Sequence, residues 1–518
     1  MPFNYLDTSI KSKRSQSALE YMMTYGWAIL IIVIVAVILY SMGIFNPSSS
    51  ITFTSSGFSP FTVSSSLCNN IGYKIAVLAG PIPNNANSLT INKVYLTSAT
   101  GANTTTASYT LTNPVTLKSG QSATILIPNV ACNSANIHYS LSAKIQYSYT
   151  ASTLGLQNVN TTGTVAGTSI TGKPSTLTSY EPITITNTQS SATPSPFQQM
   201  INFTSSDPGF SSIATGNFGQ NVEFFYYNGT VIPSWLENYT STNGLWWLKI
   251  AAILGGSSET VYVGFAPTSV SLFNTVNNGE APQLSPTYAE YDDGANVFLA
   301  YFNGNTPLAD FNYYTTYVQL SQSKASLNGN NINVINDTRV AGSSGTLVPE
   351  FIFNVAIPNE PLYIESNTYL SATSTADNPR VALLSSNSPT SSLDAIGVNV
   401  GWSGAYFQEE YINNGKYTPD QAQQGSESIG WVYSSLLYIP KTSSYYGYTV
   451  PQLYSTAGGY SGSTTNTLPS TTSLYIGGIG GPNAQYTAQE NAMLFNWMRA
   501  RAYPPNGVMP SVSFSSVA

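Results

Sequence analysis

Phe495-Asn496-Trp497-Met498-Arg499-Ala500-Arg501-Ala502-Tyr503, closed by Pro504-Pro505-Asn506-Gly507, is the stretch that decides how this chain folds. Successive side chains of a strand point to opposite faces, so the alternation puts Trp497, Arg499 and Arg501 on one face. The prolines and glycine then stop the strand. The same period recurs upstream in Val297-Phe298-Leu299-Ala300-Tyr301-Phe302, Ala395-Ile396-Gly397-Val398-Asn399-Val400, Trp431-Val432-Tyr433 and Leu474-Tyr475-Ile476-Gly477. Gly/Ser/Asn loops separate these runs, the sequence form of a large jelly roll. Further back, Ile183-Thr184-Ile185-Thr186, Val222-Glu223-Phe224-Phe225, Leu245-Trp246-Trp247-Leu248-Lys249-Ile250 and Val261-Tyr262-Val263-Gly264-Phe265 follow one another at sandwich-like spacing. Ala123, Ile125 and Ile127, then Ala143, Ile145, Tyr147 and Tyr149, mark strands with one buried face in an earlier module.

At 518 residues the chain is too long for one core, and a Ser/Thr/Pro-rich joint at Gly172-Lys173-Pro174-Ser175-Thr176 marks one boundary. Only 8% of residues are charged, so Ser, Thr, Asn and Gln supply the polar surface, which suits an exported protein. A net charge of −7 with no basic patch after residue 15 excludes nucleic acid as a partner, because phosphate binding needs clustered Lys and Arg.

The N-terminal stretch reads differently. Lys11, Lys13 and Arg14 precede Ser15-Gln16-Ser17-Ala18-Leu19-Glu20-Tyr21, and an uncharged, mostly apolar run continues to Phe45. About 25 such residues at about 1.5 Å each suffice to cross a hydrocarbon core as a helix. With the cations ahead of it, the positive-inside tendency leaves a short cytoplasmic tail and sends the remaining chain outside. A carboxylate at the edge of such a helix, as at Glu20, needs a compensating partner. This order of basic residues, small residue, Gln, Glu and apolar run resembles the leader of archaeal type IV pilin-like proteins, although Ala18 and Thr24 depart from the usual pattern. The resemblance implies cleavage by a prepilin peptidase between Ser15 and Gln16. It also implies that Glu20 pairs with the freed amine of a neighbouring pilin subunit. A plain signal anchor, with Glu20 at the headgroup level, is the alternative.

Cys68 and Cys132 are the two cysteines. An even pair in an exported chain reads as a disulfide worth on the order of 4 kcal/mol, with two buried thiols as the alternative. Their placement and Gly163-Thr164-Val165-Ala166-Gly167 resemble the β-sandwich headgroup of archaeal pilins. Pro196-Phe197-Gln198, Val231-Ile232-Pro233-Ser234-Trp235-Leu236-Glu237, Trp247-Leu248-Lys249 and Val261-Tyr262-Val263-Gly264 resemble an uncharacterised β domain of prokaryotic surface proteins, often fused to concanavalin-like lectin domains. Tyr291-Asp292-Asp293-Gly294 and the final strand resemble the concanavalin or laminin-G-like domain attached to it. The expected fold class is mainly β: one long N-terminal hydrophobic α-helix followed by β-sandwich modules, the last a concanavalin-like jelly roll. The expected divisions are a cytoplasmic leader at 1–15, a transmembrane or assembly helix at 16–46, a pilin-like sandwich at 47–172, a surface sandwich at 176–285 and the jelly roll at 286–514.

Chemistry is sparse. Some jelly rolls hydrolyse glycans with two facing carboxylates. The clustered acids are Glu290, Asp292 and Asp293, then Glu409 and Glu410, and adjacent strand residues cannot share a cleft. Glu290, Asp292, Asp293 and Asn296 have the oxygen chemistry of a calcium site, against a solvated turn as the plainer reading. His138 has no second His or Cys partner and no nucleophile motif near it, which argues against transition-metal and triad chemistry. Trp235, Trp246 and Trp247 read as core before they read as a sugar platform. Trp402, Tyr406 and Tyr411, beside Ser403-Gly404, are candidate ligand-binding aromatics. Asn103, Asn160, Asn202, Asn228, Asn238 and Asn336 each open an Asn-x-Ser/Thr sequon for glycosylation. The expected function is a cell-surface pilin-like subunit or adhesin, held in the membrane or an extracellular filament and displaying β modules toward surface glycans. A non-polymerising envelope protein and a surface glycoside hydrolase are the competing readings.

Overall fold

The computed structural model describes Val33 and residues 53–518, apart from 84–85, 104–106, 129, 133, 314–317, 340–347, 371–377, 390–392, 402–405, 414–415, 425–429, 441–443, 451–458, 464–467, 469–472 and 481–492. The chain divides into two compact units, Met1–Pro174 and Ser175–Ala518.

In the first unit a five-stranded sheet runs in the order Phe53–Gly57, Gly155–Thr168, His138–Ala151, Leu89–Thr100, Ala107–Leu117, and a three-stranded sheet in the order Phe61–Cys68, Tyr73–Ala79, Ser122–Ile127. Tyr73–Ala79 buries every second residue, as its apolar–polar alternation requires. Val63, Ile75 and Val77 from one sheet and Ile91, Leu141 and Ile145 from the other belong to one core. Cys68 and Cys132, both buried, form a disulfide that closes a span of 64 residues.

The second unit holds two sandwiches. In the smaller, Phe197–Thr204, Asn243–Ile250, Ser234–Tyr239 and Asn278–Glu280 form one sheet; Val222–Phe225, Ser258–Phe265, Ser179–Thr186 and Ser511–Phe514 form the other. The jelly roll expected to end at 514 thus gives its last strand to its neighbour, where Val512 pairs with Ile185. In the larger sandwich, Met493–Ala502 lies between Asn330–Arg339 and Leu362–Leu370 in one sheet. Ser473–Gly480 lies between Val348–Phe353 and Asn378–Leu384 in the other. Phe302, Phe351, Phe495, Ile364, Leu436 and Ile476 fill the core between them.

Met493–Ala502 decides how the sandwiches of this unit join. Its pairing with Leu362–Leu370 shifts register between Asn367 and Thr368, where Trp497 and Phe495 are the partners and Asn496 is the extra residue. The bulge lets Phe495, Met498 and Ala500 enter the larger core while Trp497 packs with Trp235 and Trp247 of the smaller sandwich. Asn496 is buried at the bulge and donates to Gln283 and Asn367, each at 2.9 Å.

The expected fold class needs one correction. Among the described residues no helix is long and apolar enough to cross a membrane, and the helix Gly294–Val297 is a single turn. The described apolar residues instead lie largely in strands, alternating where one sheet face is buried, as in Tyr73–Ala79, and near-continuous where both are, as in Met493–Ala502. Of the stretch 16–46 given to a long helix, Val33 alone is described.

Candidate functional site

The most concentrated polar chemistry is a closed seam beneath that strand. Arg499 donates through Nε to Glu365 at 2.7 Å and through a terminal nitrogen to Glu237 at 2.8 Å. Arg501 donates to the other oxygen of Glu365 at 2.7 Å. Trp247 donates its indole N–H to the Glu237 oxygen that Arg499 holds. The Arg499 guanidinium lies 4.7 Å from the ring centre of Phe298, 4.9 Å from Trp497, 5.0 Å from Trp247 and 5.3 Å from Trp235. Glu237, Glu365, Arg499 and Arg501 are 0–3% exposed, so no solute reaches them. Burial alone would raise Glu365, yet the two guanidiniums hold it at about 2. Glu237 moves upward through burial, with Arg499 opposing and Glu365 adding to the shift. The seam is structural: buried charges persist when each is paired and hydrogen-bonded. Alternation had put Trp497, Arg499 and Arg501 on one face, as found. Glu237 and Glu365 were missed, and their signal was Arg-x-Arg in an apolar strand, which demands carboxylates opposite.

The acidic turn does not form the calcium site considered from sequence. Asp292 accepts from Trp235 Nε1 at 2.8 Å, Asn303 at 2.6 Å, the Gly294 N–H at 3.0 Å and the Tyr301 hydroxyl, which occupies both its oxygens. The side-chain nitrogen of Asn296 goes to the Thr275 carbonyl at 3.0 Å, and Glu290 is exposed. Among the described residues no group of three or more His, Cys, Asp or Glu could hold a metal ion. Asp293 is 1% exposed with no hydrogen bond to either oxygen; burial and the Asp292 charge raise it well above the carboxylate range. Two further buried acids behave alike. Burial lifts Glu280 to about 7, with Ser285 opposing and Asp292 and Glu290 adding. Burial likewise lifts Glu181 to about 7, with the Gly209 N–H opposing and Asp207 adding.

Trp235, Trp246 and Trp247 are fully buried, so they are core rather than platform. Tyr406 and Tyr411 lie on the strand Tyr406–Asn413, whose side chains are outside the described ones, and Trp402 lies outside the described residues. Ser15, Gln16 and Glu20 also lie outside them. Asn103, Asn160, Asn202, Asn228 and Asn238 are exposed, and Asn336 is half-buried. His138 is half-buried at the start of its strand.

An open cleft lies at the edge of the smaller sandwich. Met200, Asn202, Asp207, Met509, Ser513 and Phe514 line it, with a volume of about 430 Å³. Phe514 stacks on Phe203 with ring centres 4.6 Å apart and planes 10° from parallel.

No family model matches the chain. It is similar to an uncharacterized protein, 562, of Sulfolobus islandicus rod-shaped virus 1, at 37% identity over 347 residues. The match covers 65% of this chain and 58% of that protein, so the chain spans a little over half the length of this relative. Among solved structures, an acidic winged bean lectin complexed with methyl-alpha-D-galactose gives a TM-score of 0.27 at 11% identity, covering 39% of this chain and 98% of the lectin. A beta-1,3-glucanase from Mycobacterium marinum gives 0.23 at 7% identity, covering 39% of this chain and 98% of the enzyme.

Proposed function

We propose that the chain is an exported surface protein that displays rigid β bodies and binds glycans without cleaving them. The fate of the carboxylates carries this reading. Glycosidic hydrolysis needs two carboxyl groups facing one accessible cleft. Here Glu237 and Glu365 are sealed on arginines, and Asp292 is saturated by four donors. The open cleft has one carboxylate, Asp207, among neutral residues. The disulfide supports an oxidising exterior, and the exposed sequons agree with export. Leader cleavage between Ser15 and Gln16 belongs to the same reading, and the mass of the mature N-terminus checks it.

A glycan array probed with the full chain, alongside a reducing-sugar assay on the bound oligosaccharides, tests the proposal. Retention of neutral oligosaccharides without release of reducing ends is expected. Sustained sugar release, abolished by Glu409→Gln or Glu410→Gln, would replace it with the hydrolase reading.

A further inference from the structure

We propose that the cleft between Phe197–Thr204 and the segment 509–514 is a saccharide subsite. The inference rests on the glycan-binding reading and gives it a location. Phe197–Thr204 ends one sheet and Ser511–Phe514 ends the facing one, so the sandwich is open along this side. Ile201 and Phe203 turn into the core, which leaves Met200 and Asn202 on the outer face.

Phe514 supplies the platform. Phe203 backs one face of its ring in a near-parallel stack, and the half-buried ring lines the cleft. A ring fixed in this way offers apolar surface to the C–H face of a pyranose at little further ordering cost. Met200 and Met509 extend that floor with unbranched side chains that adapt to an irregular ligand. Around it Asn202, Asp207 and Ser513 bring an amide, a carboxylate and a hydroxyl, the groups that read sugar hydroxyls. Asp207 is held in place, because its Oδ2 accepts the Thr204 N–H at 2.7 Å and the Thr204 hydroxyl at 2.8 Å. None of the lining residues is basic, so the cleft offers an anion nothing to pair with. Its volume of about 430 Å³ lies within the range of small-ligand sites.

Such a sugar has two sources: a soluble oligosaccharide, or a glycan linked to Asn202, whose sequon Asn202-Phe203-Thr204 gives its first and last residues to the wall. The test uses the full chain with its disulfide intact, made without N-glycosylation and titrated calorimetrically with neutral glucose, galactose and mannose oligosaccharides. Saturable binding is expected. Phe514→Ala and Ser513→Trp should each weaken it at least about tenfold, and Phe514→Trp should keep it. Phe514 touches the core, so the exposed Ser513→Trp, which fills the cleft, decides the matter if Phe514→Ala melts early. Binding that both variants leave intact overturns the subsite and spares the wider reading. Absence of binding by the parent, on the titration and on the array, overturns both. In glycosylated material, a hexose chain on Asn202 that blocks binding until it is removed identifies the occupant as the chain's own. An unmodified Asn202 with the same binding identifies a soluble one.

Discussion

The two units stabilise their interiors by opposite means, and their composition explains the choice. Between Tyr21 and Tyr180 the chain has no Asp or Glu, while Lys74, Lys93, Lys118, Lys144 and Lys173 occur there. No carboxylate is available to seal a buried cation, so the first unit has a covalent tie, Cys68–Cys132. The second unit has no cysteine and is joined by Arg499 and Arg501 on Glu365 and Glu237. A crosslink acts largely by restricting the unfolded chain and is indifferent to pH. An ionic seam acts in the folded state, depends on every partner being present, and responds to pH.

The sharpest way to break this contrast is Glu365→Ala. It takes the shared carboxylate from two buried guanidiniums and leaves Arg499 with Glu237 as its carboxylate, so a loss of up to about 5 kcal/mol is expected in the second unit. Denaturant melts followed by tryptophan fluorescence read that loss, because six of the seven tryptophans lie in this unit. The first-unit transition, followed by amide exchange, should not move. Replacing both Cys68 and Cys132 by Ser should reverse the pattern, costing the first unit about 4 kcal/mol and leaving the second unchanged.

Acidity sharpens it further. Glu181 and Glu280 ionise near pH 7 when folded and within the ordinary carboxylate range when unfolded. The stability they contribute is therefore complete below that ordinary range and is lost as pH rises through about 7. Glu365 works in the other direction: its contribution is present above the ordinary range and is lost as pH falls through about 2. The second unit should melt several degrees higher at about pH 5 than at about pH 8 in calorimetric scans, while the first unit, which has no Asp or Glu after Glu20, shows no such trend. The smallest expected effect comes from Trp247→Phe, which removes one N–H from Glu237 while keeping the ring. About 1–3 kcal/mol is expected, and a neutral result would mean that Arg499 alone satisfies that carboxylate.

Much of the β architecture was legible because burial on one face writes itself as alternation. Tyr73–Ala79 and the face shared by Trp497, Arg499 and Arg501 were readable for that reason, and the size of Trp235, Trp246 and Trp247 pointed to core. The seam was half legible: the arginines stand out, but Glu365 lies 134 residues before Arg499 and Glu237 lies 262 before it, with nothing local to pair them. The calcium reading failed because Asp292 spends its oxygens on donors from Trp235, Tyr301 and Asn303, which proximity in sequence does not reveal. The long helix was read from hydrophobicity and charge order alone, with no tertiary partner to check it. The cleft was invisible because its walls come from segments some three hundred positions apart, as in the bond from Gln199 to the Pro510 carbonyl.

The strand Ser511–Phe514, laid beside Ser179–Thr186, has a consequence for biogenesis. Tyr180 and Ala518 exchange backbone hydrogen bonds in both directions, so the body closes on itself like a clasp. A ribosome must deliver nearly every residue of this unit before the smaller sandwich is filled, and a prematurely stopped chain exposes a bare edge that invites aggregation. The same closure makes the body a cassette, with entry and exit side by side, suited to insertion into a host loop or to circular permutation at a distant turn.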